Sequence, residues 1–169
     1  AISETGDINS DAAVSLTGTG GILTAGEITT TADNITFNNA TTLTGAVTLT
    51  TGAGIGNITF SDTLDGTQNL TLTAGTGNIV FSGAVGNSTA LNDILIISAA
   101  NVTFSQTVDA NSFTQSAGTG TTTFSDLVTL GTSFSFTGTT LTMNGAGTNS
   151  VGAAMTVTNS GVFTTANGA

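Results

Sequence analysis

The side chains best equipped for chemistry in this chain are oxygen donors, because the sequence contains no Lys, Arg, His, Cys, Tyr or Trp. Asp7, Asn9 and Asp11 place oxygens at positions 1, 3 and 5 of a segment, which is how an EF-hand calcium loop begins. The sixth position of that loop would be Ala12 instead of Gly, and the twelfth would be Gly18 instead of an acid. The segment is therefore a calcium candidate that matches the first half of the motif, and the alternative is a solvated N-terminal turn. We expect no other cofactor.

The inventory of side chains argues against catalysis. Without His, Lys, Cys or Tyr no Ser can be activated as a nucleophile, and without Arg or Lys no cation can stabilise an oxyanion or a phosphoryl group. A pair of carboxylates could cleave a glycoside. Asp62 and Asp126 occupy the same Phe-Ser-Asp position in two repeats, but three coils would hold them roughly 14 Å apart. We therefore predict that the protein is not an enzyme.

The charge of the chain restricts its partners. Ten acidic side chains give a net charge of −10, with five of them in the first 33 residues and none after Asp126. Nucleic acids and anionic membranes are bound mainly through Lys and Arg, which this chain lacks. We predict neither as a partner, and a host or cell-surface glycan stays open as a ligand that the sequence does not identify.

A tetrapeptide of the form Asn-Ile-x-Phe returns along the chain. Its Phe residues are 23, 21, 23 and 20 positions apart, at Phe37, Phe60, Phe81, Phe104 and Phe124. A repeat of this length is typical of a solenoid, in which each unit stacks on the last.

Three short apolar segments recur in each repeat, with inward apolar and outward Thr or Ser residues in alternation. The first is the Ile-x-Phe pair, with Val14/Leu16 before it and Leu141/Met143 and Val162 after it. The second is a single aliphatic position, at Leu43, Leu64, Val85, Val108 and Val128. The third is a pair, at Val47/Leu49, Leu70/Leu72, Ile94/Ile96, Phe113/Gln115, Phe134/Phe136 and Met155/Val157.

Three strands per turn predict an all-β fold, a parallel β-helix of about seven coils of 19–24 residues. Its length would be about 35 Å at one strand spacing per coil. Residues 1–12 are predicted to be an N-terminal edge segment and residues 13–169 the solenoid. An antiparallel sandwich is the alternative, but it does not require the same residue types to return in every turn. Glycine clusters such as Gly75-Thr76-Gly77 suit the corners, and without Lys they cannot form a Walker phosphate loop.

Stacked coils would place like residues above one another. We predict an internal ladder of Phe37, Phe60, Phe81, Phe104 and Phe124. A second ladder at the corner before the first strand would contain Asn34, Asn57, Asn78 and Asn101, for which simple turn preference is the alternative reason.

The pattern Asn-Ile-x-Phe-Ser, followed by Leu-x-Leu and an Ala-Gly-Thr-Gly corner, resembles the repeats of filamentous-haemagglutinin-type exoproteins, autotransporter passenger domains and bacterial β-strand-repeat surface proteins. The resemblance covers roughly residues 13 to 165. It implies a right-handed β-helical stalk or adhesin that is extracellular or at a bacterial surface.

Three functions are compatible with these features. Neither end of the chain has a recognisable cap, and we predict that no inward charge blunts either edge, so coils of separate copies could stack head to tail into a fibre. The chain could instead be a stalk segment of a larger surface adhesin. Outward Thr-x-Thr pairs, such as Thr48/Thr50 and Thr71/Thr73, also resemble the ice-binding face of β-solenoid antifreeze proteins.

Overall fold

The computed structural model describes residues 1–165, and these residues form an all-β structure without a helix. Its strands, in chain order, are β1 (Ile2–Glu4), β2 (Ile8–Ser10), β3 (Val14–Leu16), β4 (Ile22–Thr30), β5 (Ile35–Phe37), β6 (Thr41–Thr50), β7 (Ile58–Phe60), β8 (Leu64–Asp65), β9 (Leu70–Thr73), β10 (Ile79–Phe81), β11 (Leu91–Ser98), β12 (Val102–Phe104), β13 (Val108–Gln115), β14 (Thr121–Phe124), β15 (Val128–Gly138), β16 (Thr140–Met143), β17 (Ser150–Val151), β18 (Ala154–Asn159) and β19 (Phe163–Thr165). Residues 166–169, the end of the predicted solenoid and of its open C-terminal edge, lie outside the described residues.

The strands of each coil pair in parallel with those of the next coil in residues 1–165. The coils, which we also call rungs, stack as a β-solenoid of about eight turns with about 21 residues per turn. The Ile-x-Phe strands form an eight-stranded sheet in the order β19-β16-β14-β12-β10-β7-β5-β3. The other segments form an 11-stranded sheet whose path runs from β1 through β4, β6, β9, β11, β13 and β15 to β17. The parallel β-helix prediction is confirmed, with about one coil more than expected, and the parallel pairing excludes an antiparallel sandwich.

The second and third predicted strands are joined in most coils. Strand β4 crosses both faces, and its register with β6 shifts between Thr24 and Gly26. Gly26 has φ 92, a left-handed conformation that Gly adopts without the steric cost of a Cβ. The chain therefore turns from one face to the next without leaving the sheet. Three segments per coil remain the correct description.

Residues 1–12, predicted to be an N-terminal edge segment, form the first coil together with β3. Strands β1 and β2 pair in parallel with β4, at Ile2↔Ile22 and Ile8↔Ile28. Ile2 and Ile8 are partly buried against the core.

The predicted second column was wrong at Leu43. Thr41, and not Leu43, pairs with Leu64, and Leu43 pairs with Thr24. Thr41 is 1% exposed, and its Oγ1 donates a hydrogen bond to the carbonyl of Asn39 at 2.9 Å. Because its hydroxyl is satisfied locally, a Thr can occupy an inward position where the sequence pattern indicated an aliphatic residue.

The prediction of Val162 as an inward residue was also wrong. Phe163 pairs with Leu141, and Val162 is 61% exposed. The carbonyl of Val162 accepts from the Leu141 amide, just as the carbonyl of Asn57 accepts from the Ile35 amide in an earlier coil. Val162 therefore lies at the corner position that Asn occupies in earlier coils. Because Val162 is aliphatic, the sequence pattern wrongly indicates an inward residue.

No helix in the described residues is long and apolar enough to cross a membrane.

Candidate functional site

The centre of the solenoid is a stack of five Phe rings. Their centroids are 4.7 Å apart for Phe37 and Phe60, 5.1 Å for Phe60 and Phe81, 4.4 Å for Phe81 and Phe104, and 4.7 Å for Phe104 and Phe124. Interplanar angles of 12° or less make these rings nearly parallel. Each ring is at most 1% exposed, and each contributes on the order of 2–3 kcal/mol through its removal from water.

A second aromatic column packs against the first. Phe113 and Phe134 stack at 5.1 Å, and Phe113 meets Phe104 and Phe124 edge-on at 6.0 and 5.3 Å. Edge-to-face contacts are favourable because they place the positive edge of one ring against the negative face of its neighbour. The sequence predicts that Phe113 and Phe134 point inward. It does not predict the contact between the two aromatic columns, because that contact depends on how the faces of the solenoid close around the core.

The Asn column forms a continuous hydrogen-bonded ladder. The Oδ1 atom of each Asn accepts from the backbone amide one coil on: Asn34 from Asn57 at 2.8 Å, Asn57 from Asn78 at 2.8 Å, Asn78 from Asn101 at 3.2 Å and Asn101 from Thr121 at 2.9 Å. The Nδ2 atoms of Asn78 and Asn101 also donate to the Asn before them, at 3.2 and 2.9 Å. The ladder binds the corners of successive coils together, which simple turn preference would not do.

We expect Asn78→Ala to lower the free energy of unfolding by about 1–2 kcal/mol, because it removes an acceptor from Asn101 and a donor to Asn57. Asn87→Ala is the matched control, since Asn87 is exposed in a loop outside the ladder. Urea unfolding followed by circular dichroism measures both variants. Equal losses would mean that the ladder contributes nothing beyond the local turn.

One buried polar pair interrupts the apolar core. Gln115 is 1% exposed and pairs in register with Ile96 on one side and Phe136 on the other. Its Oε1 atom accepts from Thr122 Oγ1 at 2.8 Å, and Thr122 is 2% exposed. A buried polar group that is satisfied in this way fixes the register of the two strands, since a shift would leave it without a partner.

The calcium candidates lie in a row along an edge strand. Asp7, Asn9 and Asp11 are exposed and flank the half-buried Ile8 and Ser10 of the extended strand β2. Asp7 Oδ1 accepts from the Glu27 amide at 2.9 Å. No group of three or more acidic residues that could hold a metal ion occurs in residues 1–165.

Asp62 and Asp126, the two carboxylates considered for glycoside cleavage, each accept a hydrogen bond from the next residue in the chain. Asp62 Oδ1 accepts from the Thr63 amide and Asp126 Oδ1 from the Leu127 amide, each at 2.8 Å. They follow β7 and β14, which β10 and β12 separate in the sheet. No pocket opens in the surface of the described chain.

The C-terminal rung carries apolar side chains at positions that are inward in earlier coils. Met155 pairs with the buried Phe134, and Phe163 pairs with the buried Leu141. Met155 is 45% exposed and Phe163 is 43% exposed, because no following rung covers them within residues 1–165. Outside the last coil, large apolar residues are exposed at Leu23, Ile55 and Ile97.

The N-terminal rung differs from the prediction, which was wrong in expecting no inward charge. Its apolar residues Ile2, Ile8, Val14 and Leu16 are partly buried. Glu4, however, pairs with Thr24, which is 1% exposed, and therefore stands in an inward column. The repeat pattern does not reveal this inward position, because the residue type in the Glu4 column changes from coil to coil, to Thr24 and then to Leu43.

Comparison with protein-family models, with curated proteins and with solved structures gives no match for this chain.

Proposed function

We propose that this protein is a structural subunit of an extracellular fibre, which assembles by head-to-tail stacking of its β-solenoid coils. The observation that carries the proposal is the exposure of Met155 and Phe163 on the C-terminal rung, since the residues that they pair with one coil earlier, Phe134 and Leu141, are buried. The extracellular setting rests on the repeat's resemblance to bacterial exoproteins and on a composition dominated by uncharged residues.

The two ends of a parallel solenoid are complementary rather than identical. A second copy placed in register would continue the existing columns, with its Val14 over Phe163 and its Ile8 over Val157. Such a contact joins two different surfaces of the subunit, so it propagates into a filament instead of closing into a dimer.

The distribution of charge favours this polarity. The first 33 residues carry five acids, whereas the chain has none after Asp126. A head-to-tail contact therefore places an acidic end against a neutral one. Head-to-head contact of two N-terminal rungs would place like charges together, which is unfavourable.

The alternative is a stalk segment of a larger surface adhesin. In that case further chain, and not a second copy, would cover the C-terminal rung. The two proposals differ in what the 169-residue chain does alone, because only the fibre subunit associates with itself.

Sedimentation velocity over a series of concentrations tests the proposal. We expect the average mass of the wild-type chain and of Val162→Asp to rise with concentration, since Val162 lies at a corner. Phe163→Asp places a charge in the column itself and should remain a monomer. A wild-type chain that stays monomeric at every concentration would contradict the fibre and favour the stalk.

A second candidate is ice binding, favoured by one outward column. Its Thr residues follow one another in register at about 4.8 Å, at Thr36, Thr59, Thr103, Thr123 and Thr142, with Val80 between the second and the third. On the other sheet Leu95 lies between Thr71 and Thr114. These interruptions favour the structural function, and thermal hysteresis of freezing in a solution of the purified chain would reverse that preference.

A further inference from the structure

Glu4 is an acidic side chain in a column that is otherwise uncharged. It pairs with Thr24, which pairs in turn with Leu43, and these two residues are 1% and 3% exposed. The Thr24 hydroxyl donates to Glu4 Oε2 at 3.1 Å, and the Gly6 amide donates to Oε1 at 2.9 Å. The carboxylate is thus held at the rim of the core by neutral donors.

We infer that Glu4 is a gatekeeper of end-to-end association, which limits the addition of a second copy of this chain to the N-terminal rung. The inference rests on the proposed head-to-tail stacking and identifies the residue that regulates it. Its physical basis is that an inward-pointing charge on an edge strand opposes pairing with another chain.

The register identifies what Glu4 would meet. On the later coils the same face carries a column of Ala110, Leu130 and Val151. Val151 is the last member of this column and lies in the short strand β17. One column joins Ile2 to Val128 through Ile22, Thr41, Leu64, Val85 and Val108. Glu4 and Leu130 each lie two residues after a member of that column, and Leu130 pairs with Val151, so an added copy would place Glu4 directly over Val151. A carboxylate covered by a valine loses its water and gains no counter-ion, because the chain has no basic side chain.

The neighbouring acids would not be covered in this way. Asp7 and Asp11 lie on the same coil as Glu4, and both are exposed. Their register neighbours on the next coil, Glu27 and Thr31, are exposed too, although coils lie on both sides of them. In-register stacking therefore dehydrates Glu4 and leaves these two carboxylates in water. This difference separates a specific effect of Glu4 from a general effect of net charge.

Three single substitutions test the inference by sedimentation of the full chain. Glu4→Gln and Asp11→Asn each remove one negative charge, and Glu4→Leu replaces the carboxylate with an apolar group. We expect Glu4→Gln to lower the concentration needed for half-maximal association about tenfold, and Glu4→Leu to lower it at least as much. Asp11→Asn should change it by less than about twofold, since exposed charges contribute little. Unchanged thermal unfolding of the Glu4 variants establishes that the first coil remains folded.

The outcomes separate this inference from the proposed function. Association of the wild-type chain that neither Glu4 variant changes, or that Asp11→Asn enhances equally, would overturn the gatekeeper and leave the fibre intact. Monomers in all four proteins would overturn stacking, and the gatekeeper with it.

Discussion

Replacing Phe81 with Ala is expected to lower the free energy of unfolding by about 4 kcal/mol. Phe81 is 1% exposed, and its ring stacks between Phe60 at 5.1 Å and Phe104 at 4.4 Å. The substitution removes two stacked contacts and opens a cavity that the rigid rungs above and below cannot close. Urea unfolding of wild type and variant, followed by circular dichroism, measures the loss.

Phe163→Ala is the control for this substitution. Phe163 lies in the same sheet, but its ring is 43% exposed on the terminal rung, so truncation leaves no enclosed cavity. We expect it to cost about 1 kcal/mol or less. Similar losses for the two variants would mean that enclosure within the ladder adds nothing to the contribution of a Phe ring.

Replacing Gly77 with Ala is expected to cost about 3 kcal/mol or more, through overpacking between coils. A Cβ at Gly77 would overlap the carbonyl oxygen of Gly56 and lie 2.7 Å from its carbonyl carbon. These are backbone atoms of the preceding coil, and the Gly56 carbonyl oxygen also accepts a hydrogen bond from the buried Thr51 hydroxyl at 2.8 Å, which a displacement of Gly56 would disturb. Thermal unfolding should show the loss as a lower midpoint.

Gly6→Ala provides the matched comparison, because a Cβ there would meet nothing within 4 Å. We expect its midpoint to stay within about 2 °C of wild type. If Gly77→Ala were equally harmless, the corners would be less closely stacked than described.

The sequence predicts the fold well because one residue type returns at equivalent positions. Phe81 and Asn78 each have the same residue type one coil before and one coil after, so stacking follows from the spacing alone. In the structure both columns extend over four or more successive coils.

Positions at which the residue type changes could not be predicted in this way. Thr41 is inward because its hydroxyl bonds to Asn39, and Val162 takes the corner that Asn holds elsewhere. Glu4 lies on the terminal rung, where only one neighbouring coil restricts the side chain. Its inward position depends on three-dimensional register and leaves no signal in the repeat.

The central claim, that the chain is a fibre subunit, is tested most directly by electron microscopy of the purified 169-residue protein in neutral buffer without crosslinker. Eight rungs in the Ile-x-Phe sheet, at about 4.8 Å each, predict long unbranched filaments with an axial repeat near 38 Å. Discrete rods of about that length, at concentrations where sedimentation should detect association, would contradict the fibre.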